Sequence, residues 1–437
     1  MNTIVVKFGG SSLASAEQIR KAAAIIKADP ARRFVVASAP GKRSSADTKV
    51  TDLLYRCYDA AAAGGDFEPV LDQIKARFSD IIRELAVNFE LDTEIAVIRA
   101  HLENGPQRDY MASRGEYLNS KILAAYLGFA FLDTADLVRF NAEGRFEDAL
   151  TDTALRAALD GVKYAVLPGF YGADENGTIH TFSRGGSDVT GSLVARAAEA
   201  SIYENWTDVS GMLFTDPSIV DNPRTIEYIT YRELRELSYM GASVLHEDAV
   251  FPVRKAGIPI NIRNTNRPED AGTMIVSELP AGIVLRNVTG IAGRSGFTSI
   301  LVEKSMMNSE VGFGAKLLEI FAVHGVPFEH CPTGIDTMSV VVGSAEFREN
   351  KDAVLQQIRC ELQPEFMAVE SGLSMIAVVG HGLVSATGSA ARMFRALAEA
   401  NINIRMIDQG SSEMNIIIGV DDADYADAVR AIYRAFE

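Results

Sequence analysis

The sequence lacks the features of several broad protein classes. It has only three cysteines in 437 residues, Cys57, Cys331 and Cys360, without the close C-x-x-C spacing of a zinc site or the even number of a disulfide framework. No apolar run approaches the roughly 20 residues that cross a bilayer. The N-terminal segment has no basic region ahead of a long apolar stretch. We therefore expect reduced thiols, no membrane association and a cytoplasmic location.

Positive charge is also scarce. The chain carries 42 Lys and Arg against 58 Asp and Glu, a formal net charge of −16. A general nucleic-acid binder needs a basic face that neutralises phosphates, so this balance argues against a nucleic-acid partner. Any anionic ligand must be met by local cations. At roughly 150 residues per domain, the length predicts two or three domains.

Three familiar nucleotide-binding signatures are missing: the Walker pattern, the dinucleotide G-x-G-x-x-G pattern and the H-R-D motif of protein kinases. The first half instead alternates short β-branched runs with helical patterns, which predicts a parallel sheet wrapped by helices. The turn residues Asp174 to Gly177 predict a hairpin between strands at 166–171 and 178–182. Other strands are predicted at 3–8, 34–38, 163–168 and 258–263, and a helix at 15–28.

The last third of the chain contains an internal repeat. An offset of 388 − 312 = 76 pairs Gly312 with Gly388 and also Gly325 with Asn401. Each copy follows the order strand, Gly-containing turn, helix, strand, turn, strand, which predicts two similar α+β modules. The alternative is a likeness that arises from shared periodicity alone. The repeat cores cover residues 299–343 and 375–419.

A glycine pair follows the first predicted strand. Lys7 lies at the end of that strand, and Gly9 and Gly10 separate it from the next helix. Ligands of open α/β sheets bind at such strand ends. Adjacent glycines let backbone N–H groups approach a phosphate, and the following helix N-terminus adds positive potential. The pattern indicates a phosphate cradle, with a plain turn as the alternative.

A second glycine pair lies at 185–186, between Arg184 and Asp188. Arg184 offers a bidentate fork for a carboxylate, and Asp188 is an anion at a predicted helix start. The bland alternative is that Ser187 or Asp188 merely caps the helix. Capping explains neither Arg184 nor the glycines.

Two further segments have both a structural and a functional interpretation. Ser113 and Glu116 have the S-x-x-E spacing of a capping box at the head of a helix running to Leu127. Thr207 and Asp208 follow a predicted strand, in a segment that would either hold a nucleotide or form a simple loop.

In this order the segments resemble those of the aspartate kinases, members of the amino-acid kinase family with C-terminal tandem ACT domains. The resemblance implies a catalytic domain at 1–282 with a central, mostly parallel sheet flanked by helices. A regulatory region with two ferredoxin-like α+β ACT modules would follow at 283–437. The matching segments are K-F-G-G-S-S at 7–12, T-D-L-L at 51–54, S-R-G-E at 113–116, G-F-Y-G at 169–172, S-R-G-G-S-D at 183–188 and W-T-D-V at 206–209.

The resemblance also implies a reaction, in which the γ-phosphoryl group of ATP moves to the β-carboxylate of L-aspartate and gives 4-phospho-L-aspartate. This is the first step of lysine, threonine and methionine biosynthesis. Mg²⁺ would enter bound to the nucleotide, without a separate metal site. The implied partners are ATP, L-aspartate, an amino-acid effector and further copies of the chain. L-Lysine is favoured over L-threonine as effector, and a homodimer or homotetramer would form through the ACT modules.

The family roles fall on specific positions. Because the acceptor carboxylate has an ordinary pKa of about 3.9, it needs no general base, and catalysis should rest on positioning and on cations near the transferring oxygens. The implied catalytic residues are Lys7, Asp188, Gly9 and Gly10. Aspartate would contact Ser38, Thr51, Glu116, Phe170, Arg184 and Ser187. ATP would contact Lys7, Gly10, Ser11, Thr207, Asp208, Leu213 and Asp216. The effector would contact Met307, Phe313, Gly314, Phe328 and Glu329, unless Glu329 is only a solvated strand residue.

Two positions depart from the common family pattern, since Ser218 and Ser243 stand where many relatives carry cations near the nucleotide phosphates. Arg224, Arg254 and Lys255 are the candidates that replace them. Two other functions therefore stay open. One is a kinase of the same fold for another acid, such as acetylglutamate, glutamate or carbamate. The other is a catalytically silent amino-acid sensor.

Overall fold

The computed structural model describes residues 2–183, 185–242, 245, 247–283, 286–384, 386–410 and 412–437. The chain forms two compact units. The first comprises Met1–Met212, Thr225–Tyr231 and Val244–Ala281, and the second comprises Leu213–Arg224, Arg232–Ser243 and Gly282–Glu437.

An eight-stranded sheet forms the centre of the first unit. Its strands and those of a separate hairpin are β1 (Ile4–Phe8), β2 (Arg32–Ala37), β3 (Ala130–Phe131), β4 (Ala165–Pro168), β5 (Tyr171–Ala173), β6 (Ile179–Thr181), β7 (Ile202–Thr207), β8 (Tyr228–Thr230), β9 (Ile260–Asn264) and β10 (Thr273–Val276). The sheet order is β3-β4-β2-β1-β7-β9-β10-β8. Neighbours are parallel except β9 and β10, which are antiparallel. The predicted parallel sheet is confirmed.

The hairpin differs in detail from the prediction. Its first strand was expected at 166–171, as one piece with the preceding buried strand. The chain instead breaks after Pro168, and Phe170 has a φ of 82°, which no strand residue adopts. β5 and β6 therefore form their own two-stranded sheet. The turn at Asp174 is as predicted, because its Oδ1 accepts the N–H groups of Asn176 and Thr178.

Helices lie between these strands along the chain. They are α1 (Ala16–Ala28), α2 (Val50–Ala62), α3 (Glu68–Leu85), α4 (Leu91–Glu103), α5 (Arg108–Leu127), α6 (Asp148–Asp160), α7 (Gly186–Ala197), α8 (Tyr231–Tyr239) and α9 (Glu247–Ala256). α8 belongs to the second unit after its first residue. Val6 and Phe8 of β1 share one buried core with Ile19, Leu54 and Phe78 from α1, α2 and α3. Each such side chain contributes about 1.5–3 kcal/mol when fully buried.

The capping-box interpretation of Ser113 and Glu116 is wrong. α5 begins at Arg108 with Gln107 as its N-cap, so Ser113 lies inside the helix, where its Oγ donates to the Tyr110 carbonyl at 2.7 Å. The helix starts earlier because Met111 is fully buried and extends its apolar side. Glu116 is therefore not tied to a helix start.

The second unit contains a six-stranded antiparallel sheet with the order β12-β13-β11-β14-β16-β15. Its elements are β11 (Gly290–Glu303), α10 (Phe313–Val323), β12 (Phe328–His330), β13 (Thr337–Gly343), α11 (Ser344–Leu362), β14 (Phe366–Val379), α12 (Ser389–Glu399), β15 (Met406–Asp408), β16 (Asn415–Asp421) and α13 (Tyr425–Phe436). No helix in the described ranges of the chain is long and apolar enough to span a bilayer.

The internal repeat is confirmed by the backbone. Gly312 and Gly388 are the N-cap residues of α10 and α12, and both have a φ of 86°. Gly325 and Asn401 follow the two helices with φ values of 67° and 58°. Only glycine, and to a lesser degree asparagine, adopts this left-handed region readily. The repeat therefore preserves conformation as well as hydrophobic pattern.

The two modules share the long strands β11 and β14. β13 pairs only with residues 297–303 of β11, and β16 pairs only with residues 373–379 of β14. The ladder between β11 and β14 is irregular near Gly296, whose φ is 94°, and Gly372, 76 positions later (372 − 296), has a φ of 81°. Each module thus takes one half of the shared ribbon.

The three cysteines are free thiols, with Cys57 buried, Cys331 half-buried and Cys360 exposed. Burial raises the pKa of Cys57 to about 11. This thiol is therefore neutral and packs against the core of the first unit.

Candidate functional site

The glycine pair after β1 forms a tight turn beside the end of β7. Gly9 N–H donates to the Trp206 carbonyl at 3.0 Å, and the N–H groups of Ser12 and Leu13 donate to the carbonyls of Gly9 and Gly10. A Cβ at Gly10 would lie 2.9 Å from the Ala39 carbonyl oxygen, so this position cannot carry a side chain without rearrangement. We call residues 9–13 the cradle. The structure places Ser11 at its half-buried surface.

Lys7 is held in place by two elements of the same unit. Its Nζ lies 2.6 Å from Asp188 Oδ1, which is on the first turn of α7. Asn205 is paired with Lys7 across β1 and β7, and its Nδ2 donates to the same Asp188 oxygen at 2.8 Å. Lys7 is only 7 % exposed. The structure thus brings Lys7 and Asp188 together as the resemblance implies.

Asn205 was not predicted from the sequence. An asparagine inside a buried strand gives no motif, and only the register between β1 and β7 shows that it faces Asp188. Tyr203, two residues earlier and on the same face, donates from its hydroxyl to the Asp188 carbonyl at 3.4 Å. A Cβ at Gly191 would lie 2.3 Å from that hydroxyl. Gly191 is therefore what allows α7 to come this close to β7.

Glu116 is a buried carboxyl whose pKa is raised. Its side chain is buried on α5, and its Oε2 has no hydrogen-bond partner among the residues that the structure describes. Burial raises the pKa of Glu116 to about 8, against an ordinary 4.5, and the Ala39 N–H, Arg114 and Lys7 offset this only in part. An unpartnered buried carboxyl is costly. It is suited to receive an ammonium group.

α5 comes close to the end of β2. A Cβ at Gly115 would lie 2.7 Å from the Ala39 Cβ, so the small residue lets the helix pack against this segment. One turn after Glu116, the fully buried Asn119 donates to the Ser38 carbonyl at 2.7 Å. Ser38 and Glu116 are thereby placed near each other. Asn119 is a second residue that the sequence did not reveal.

Phe170 and Ser187 each pack against a glycine that neighbours the other residue in the sequence. A Cβ at Gly169 would lie 2.5 Å from Ser187 Oγ, and a Cβ at Gly186 would lie 2.6 Å from the Phe170 ring. The strained φ of Phe170 is held by Thr190 Oγ1, which accepts the Phe170 N–H at 3.1 Å. Such strain persists where the surroundings fix it, often at functional sites. Arg184, the predicted carboxylate clamp, lies outside the described residues.

The remaining predicted positions of the first unit lie at element ends. Thr51 is half-buried in the first turn of α2. Thr207 ends β7, and its Oγ1 donates to Asp208 Oδ1 at 3.2 Å. Thr207 is therefore two residues along β7 from Asn205, beside the cradle.

Leu213 and Asp216 belong to the second unit. Asp216 is exposed, and its Oδ1 accepts the Ser218 N–H at 2.8 Å. Arg224, in the same unit, stacks its guanidinium 3.9 Å from the Phe214 ring centre and donates to the Val288 carbonyl. These contacts occupy Arg224 within the second unit.

Two other cations were predicted as substitutes for the missing ones. Arg254 and Lys255 are exposed in the last turn of α9. Ser243 lies outside the described residues. Which cation replaces it stays a prediction.

The predicted effector residues differ in how far they are exposed to solvent. The side chains of Met307 and Phe313 are buried in the core of the first module, whereas Gly314 is half-buried and Phe328 is 50 % exposed. An effector at the predicted position would therefore meet the backbone groups of Met307 and Phe313 rather than their side chains.

Glu329 is not a solvated strand residue, and that alternative is wrong. Its side chain is 14 % exposed and pairs with Arg294 at 2.6 Å. The Tyr239 hydroxyl also donates to its carboxylate. Burial and this carboxylate raise the pKa of Tyr239 to about 12, so the hydroxyl keeps its proton. The sequence did not predict that Arg294 and Tyr239 contact Glu329.

Comparisons with known proteins cover almost the whole chain. Residues 2–264 match the amino acid kinase family and residues 376–436 match the ACT domain. Aspartokinase 3 of Bacillus subtilis is 39 % identical over 99 % of this chain and 98 % of its own length. The aspartate kinase of Clostridium acetobutylicum is 46 % identical over 100 % of both chains, with a TM-score of 0.91.

A further solved relative, aspartokinase III of Escherichia coli, has been determined with two sets of ligands. Its complex with aspartate and ADP, termed the R-state, is 26 % identical with a TM-score of 0.74 and 99 % coverage of both chains. Its complex with lysine and aspartate, termed the T-state, is 25 % identical with a TM-score of 0.72, again over 99 % of both chains.

Proposed function

This chain belongs to the aspartokinases of the amino acid kinase family, phosphotransferases with an ACT regulatory region, and we propose that it transfers the γ-phosphoryl group of ATP to the β-carboxylate of L-aspartate. The product is 4-phospho-L-aspartate. The observation that carries the proposal is the ion pair between Lys7 and Asp188, held at the end of β1 beside the glycines of the cradle.

The chemistry requires two anions to approach each other. A carboxylate is already a nucleophile at neutral pH, so the barrier comes from its repulsion by the phosphate chain and from the charge on the transferring oxygens. Lys7 supplies a full positive charge that Asp188 and Asn205 hold in one position. Gly9 and Gly10 supply a backbone that a phosphate can approach. A preorganised cation of this kind costs no reorganisation during the reaction.

Aspartate would be recognised through both of its α-substituents. Glu116, buried with one unpartnered oxygen, receives the α-ammonium, and Arg184 clamps the α-carboxylate with its planar fork. The remaining pocket is lined by Ser38, Thr51, Phe170 and Ser187. Glu116 in this pocket distinguishes a free amino acid from N-acetylglutamate, because the acylated nitrogen of N-acetylglutamate carries no positive charge.

ATP would lie at the ends of β1 and β7, where Ser11, Thr207 and Asp208 follow the two strands. The E. coli relative was crystallised with ADP, which supports a nucleotide of this kind. Mg²⁺ would arrive bound to the nucleotide phosphates, where it neutralises their charge. Among the described residues no group of three or more His, Cys, Asp or Glu side chains is arranged to hold a metal ion.

The assignment of catalytic and regulatory domains follows that of the family. We place the catalytic domain at residues 1–282 and the regulatory region with its two ACT modules at residues 283–437, with the segments 213–224 and 232–243 belonging to the second compact unit. L-Lysine, favoured over L-threonine, inhibits by binding near Gly314 and Phe328, with its side-chain ammonium at Glu329. The lysine complex of the E. coli relative supports this choice. Copies of the chain associate through these modules into a dimer or tetramer.

The proposed reaction takes place in the cytoplasm and begins the synthesis of lysine, threonine and methionine. It is tested with purified protein, ATP, Mg²⁺ and hydroxylamine, which converts an acyl phosphate into a hydroxamate. We expect ADP and hydroxamate in equal amounts with L-aspartate and neither product with L-glutamate or N-acetylglutamate. Lysine binding without turnover of aspartate would contradict the proposal and identify an amino-acid sensor.

A further inference from the structure

A buried cation lies beneath the cradle, on helix α3. The side of α3 that faces the core carries the apolar residues Ile74, Phe78 and Ile81, and Arg77 lies on the same side at helical spacing. Arg77 is only 5 % exposed. Burial lowers its pKa, and a buried guanidinium is costly unless it is paired and hydrogen-bonded. Its partners therefore indicate what it does.

The guanidinium of Arg77 joins three separate segments. Its Nη2 donates to the Ala14 carbonyl at 2.8 Å and to the Gly41 carbonyl at 2.7 Å. Its Nη1 pairs with Asp47. Ala14 immediately follows the cradle, and Gly41 N–H donates to the Gly10 carbonyl at 2.8 Å. Arg77 thus holds the end of the cradle directly and its beginning through Gly41.

The backbones of Gly10 and Gly41 are packed too closely for either to shift independently of the other. A Cβ at Gly41 would lie 2.6 Å from the Gly10 carbonyl carbon, so a shift of one backbone must move the other. Asp47 fixes the far end of the loop at residues 41–47. Its carboxylate also accepts the Arg43 N–H at 2.9 Å and the Arg43 Nε–H at 3.0 Å. The Arg43 hydrogen bonds hold the pKa of Asp47 well below its usual range, and those of Arg77 add to this.

We propose that Arg77 is a positioning residue for phosphoryl transfer, which fixes the conformation of the cradle without touching either substrate. The inference rests on the proposed function, in which the cradle receives the phosphates of ATP. A lysine cannot replace it fully, since one ammonium on a flexible stem does not offer the planar fork that reaches two carbonyls and a carboxylate together.

The test compares Arg77→Met and Arg77→Lys with Arg83→Met, a control on the same helix whose side chain is 70 % exposed and pairs only with Asp80 among the described ion pairs. We expect Arg77→Met to raise the KM for ATP roughly 10-fold and to lower kcat, because small misplacements of a binding group are costly. Arg77→Lys should show a smaller change in the same direction. The KM for aspartate should stay within about twofold, and Arg83→Met should match the wild type.

A purely structural role would lower the melting temperature and the active fraction but leave both KM values of the folded protein unchanged, and that result overturns the proposal. If Arg77→Met does not fold, Asp47→Asn provides the second test, since it removes one anchor of the same loop. An unchanged KM for ATP in folded Arg77→Lys and Asp47→Asn also overturns it.

Failure of the proposed function is distinguishable from failure of this inference. If the wild type does not turn over aspartate, ADP binding measured by calorimetry replaces the kinetic readout. The inference then requires weaker ADP binding by Arg77→Lys than by Arg83→Met, and equal binding contradicts it.

Discussion

Lys7 and Asn205 lie opposite each other on two neighbouring parallel strands and reach the same oxygen, Asp188 Oδ1, at 2.6 and 2.8 Å. Asp188 therefore has an ammonium and an amide fixing one side of its carboxylate. Because all three side chains are almost buried, none of them can move without leaving another unpaired. This relationship is what holds the positive charge of Lys7 at the mouth of the cradle.

Removal of that charge tests its role in the transition state. Lys7→Ala should lower kcat by roughly 10²–10³ with little change in the KM for aspartate, because the ammonium acts mainly on the transferring oxygens. Steady-state kinetics with both substrates measure the effect. Lys27→Ala, at the exposed end of α1, is the matched control. An unchanged kcat in Lys7→Ala would show that Lys7 is misassigned.

Removal of the amide tests positioning at Asp188. Asn205→Ala keeps the ion pair between Lys7 and Asp188 but removes the amide hydrogen bond to the Asp188 carboxylate. We expect kcat to fall about 10-fold, which is between the effect of a lost hydrogen bond and that of a lost charge. Asn205→Asp should be worse, since a second carboxyl next to Asp188 introduces like-charge repulsion. Identical kcat values for Asn205→Asp and the wild type would exclude the positioning role.

The buried carboxyl of Glu116 makes substrate binding depend on pH. Its pKa of about 8 means that the free protein holds a proton there at pH 7, whereas an α-ammonium binds the ionised form. The KM for aspartate should therefore fall as the pH rises from 6.5 to 8. Binding at pH 7 should release a proton, which calorimetry in buffers of different ionisation enthalpy detects. Glu116→Gln should abolish the proton release and raise the KM for aspartate roughly 100-fold.

The same pKa predicts the sign of a stability effect. Since the folded pKa of Glu116 lies above its unfolded value, the folded state binds more protons between about pH 4.5 and 8, and stability contributed by this group is lost as the pH rises through that window. Glu116→Gln removes this dependence. Melting curves of the ligand-free proteins should therefore show a smaller decrease from pH 5 to 8 in the variant. Parallel curves would mean that Glu116 is ionised in the free protein.

Glu329 provides the test of regulation. Its carboxylate already pairs with Arg294 and accepts the Tyr239 hydroxyl, so an incoming lysine ammonium must compete with those groups. Glu329→Gln should raise the lysine concentration for half-inhibition at least about 10-fold, because it removes a partly buried charge-assisted contact. Arg294→Met, which removes the competitor, should lower that concentration. Each variant is compared with its own uninhibited rate, and unchanged inhibition in both would place the effector elsewhere.

The sequence predicted those features that follow from local chemistry. The 76-residue repeat located the left-handed positions Gly312 and Gly388, because glycine and asparagine adopt that region more readily than other residues. Lys7 and Asp188 could be paired only through the family resemblance, since 180 residues separate them. Their juxtaposition depends on β7 lying next to β1, which no local pattern specifies.

The features that were missed depend on tertiary register. Asn205 and Arg77 carry no motif, and their roles appear only when β7 and α3 are placed against the cradle. The S-x-x-E spacing at Ser113 was misleading because the helix gains more from burying Met111 than from starting at a cap. The hairpin strand was overextended because Phe170 has a φ of 82°, a conformation that the Thr190 hydroxyl holds and that no local pattern indicates.

A crystal structure with aspartate and a non-hydrolysable ATP analogue tests the central claim most directly. The account predicts that Lys7 Nζ, still paired with Asp188, lies within hydrogen-bonding distance of a phosphate oxygen, while a Glu116 oxygen contacts the α-ammonium of aspartate. An aspartate bound away from Glu116, or a phosphate chain that Lys7 does not reach, would contradict it.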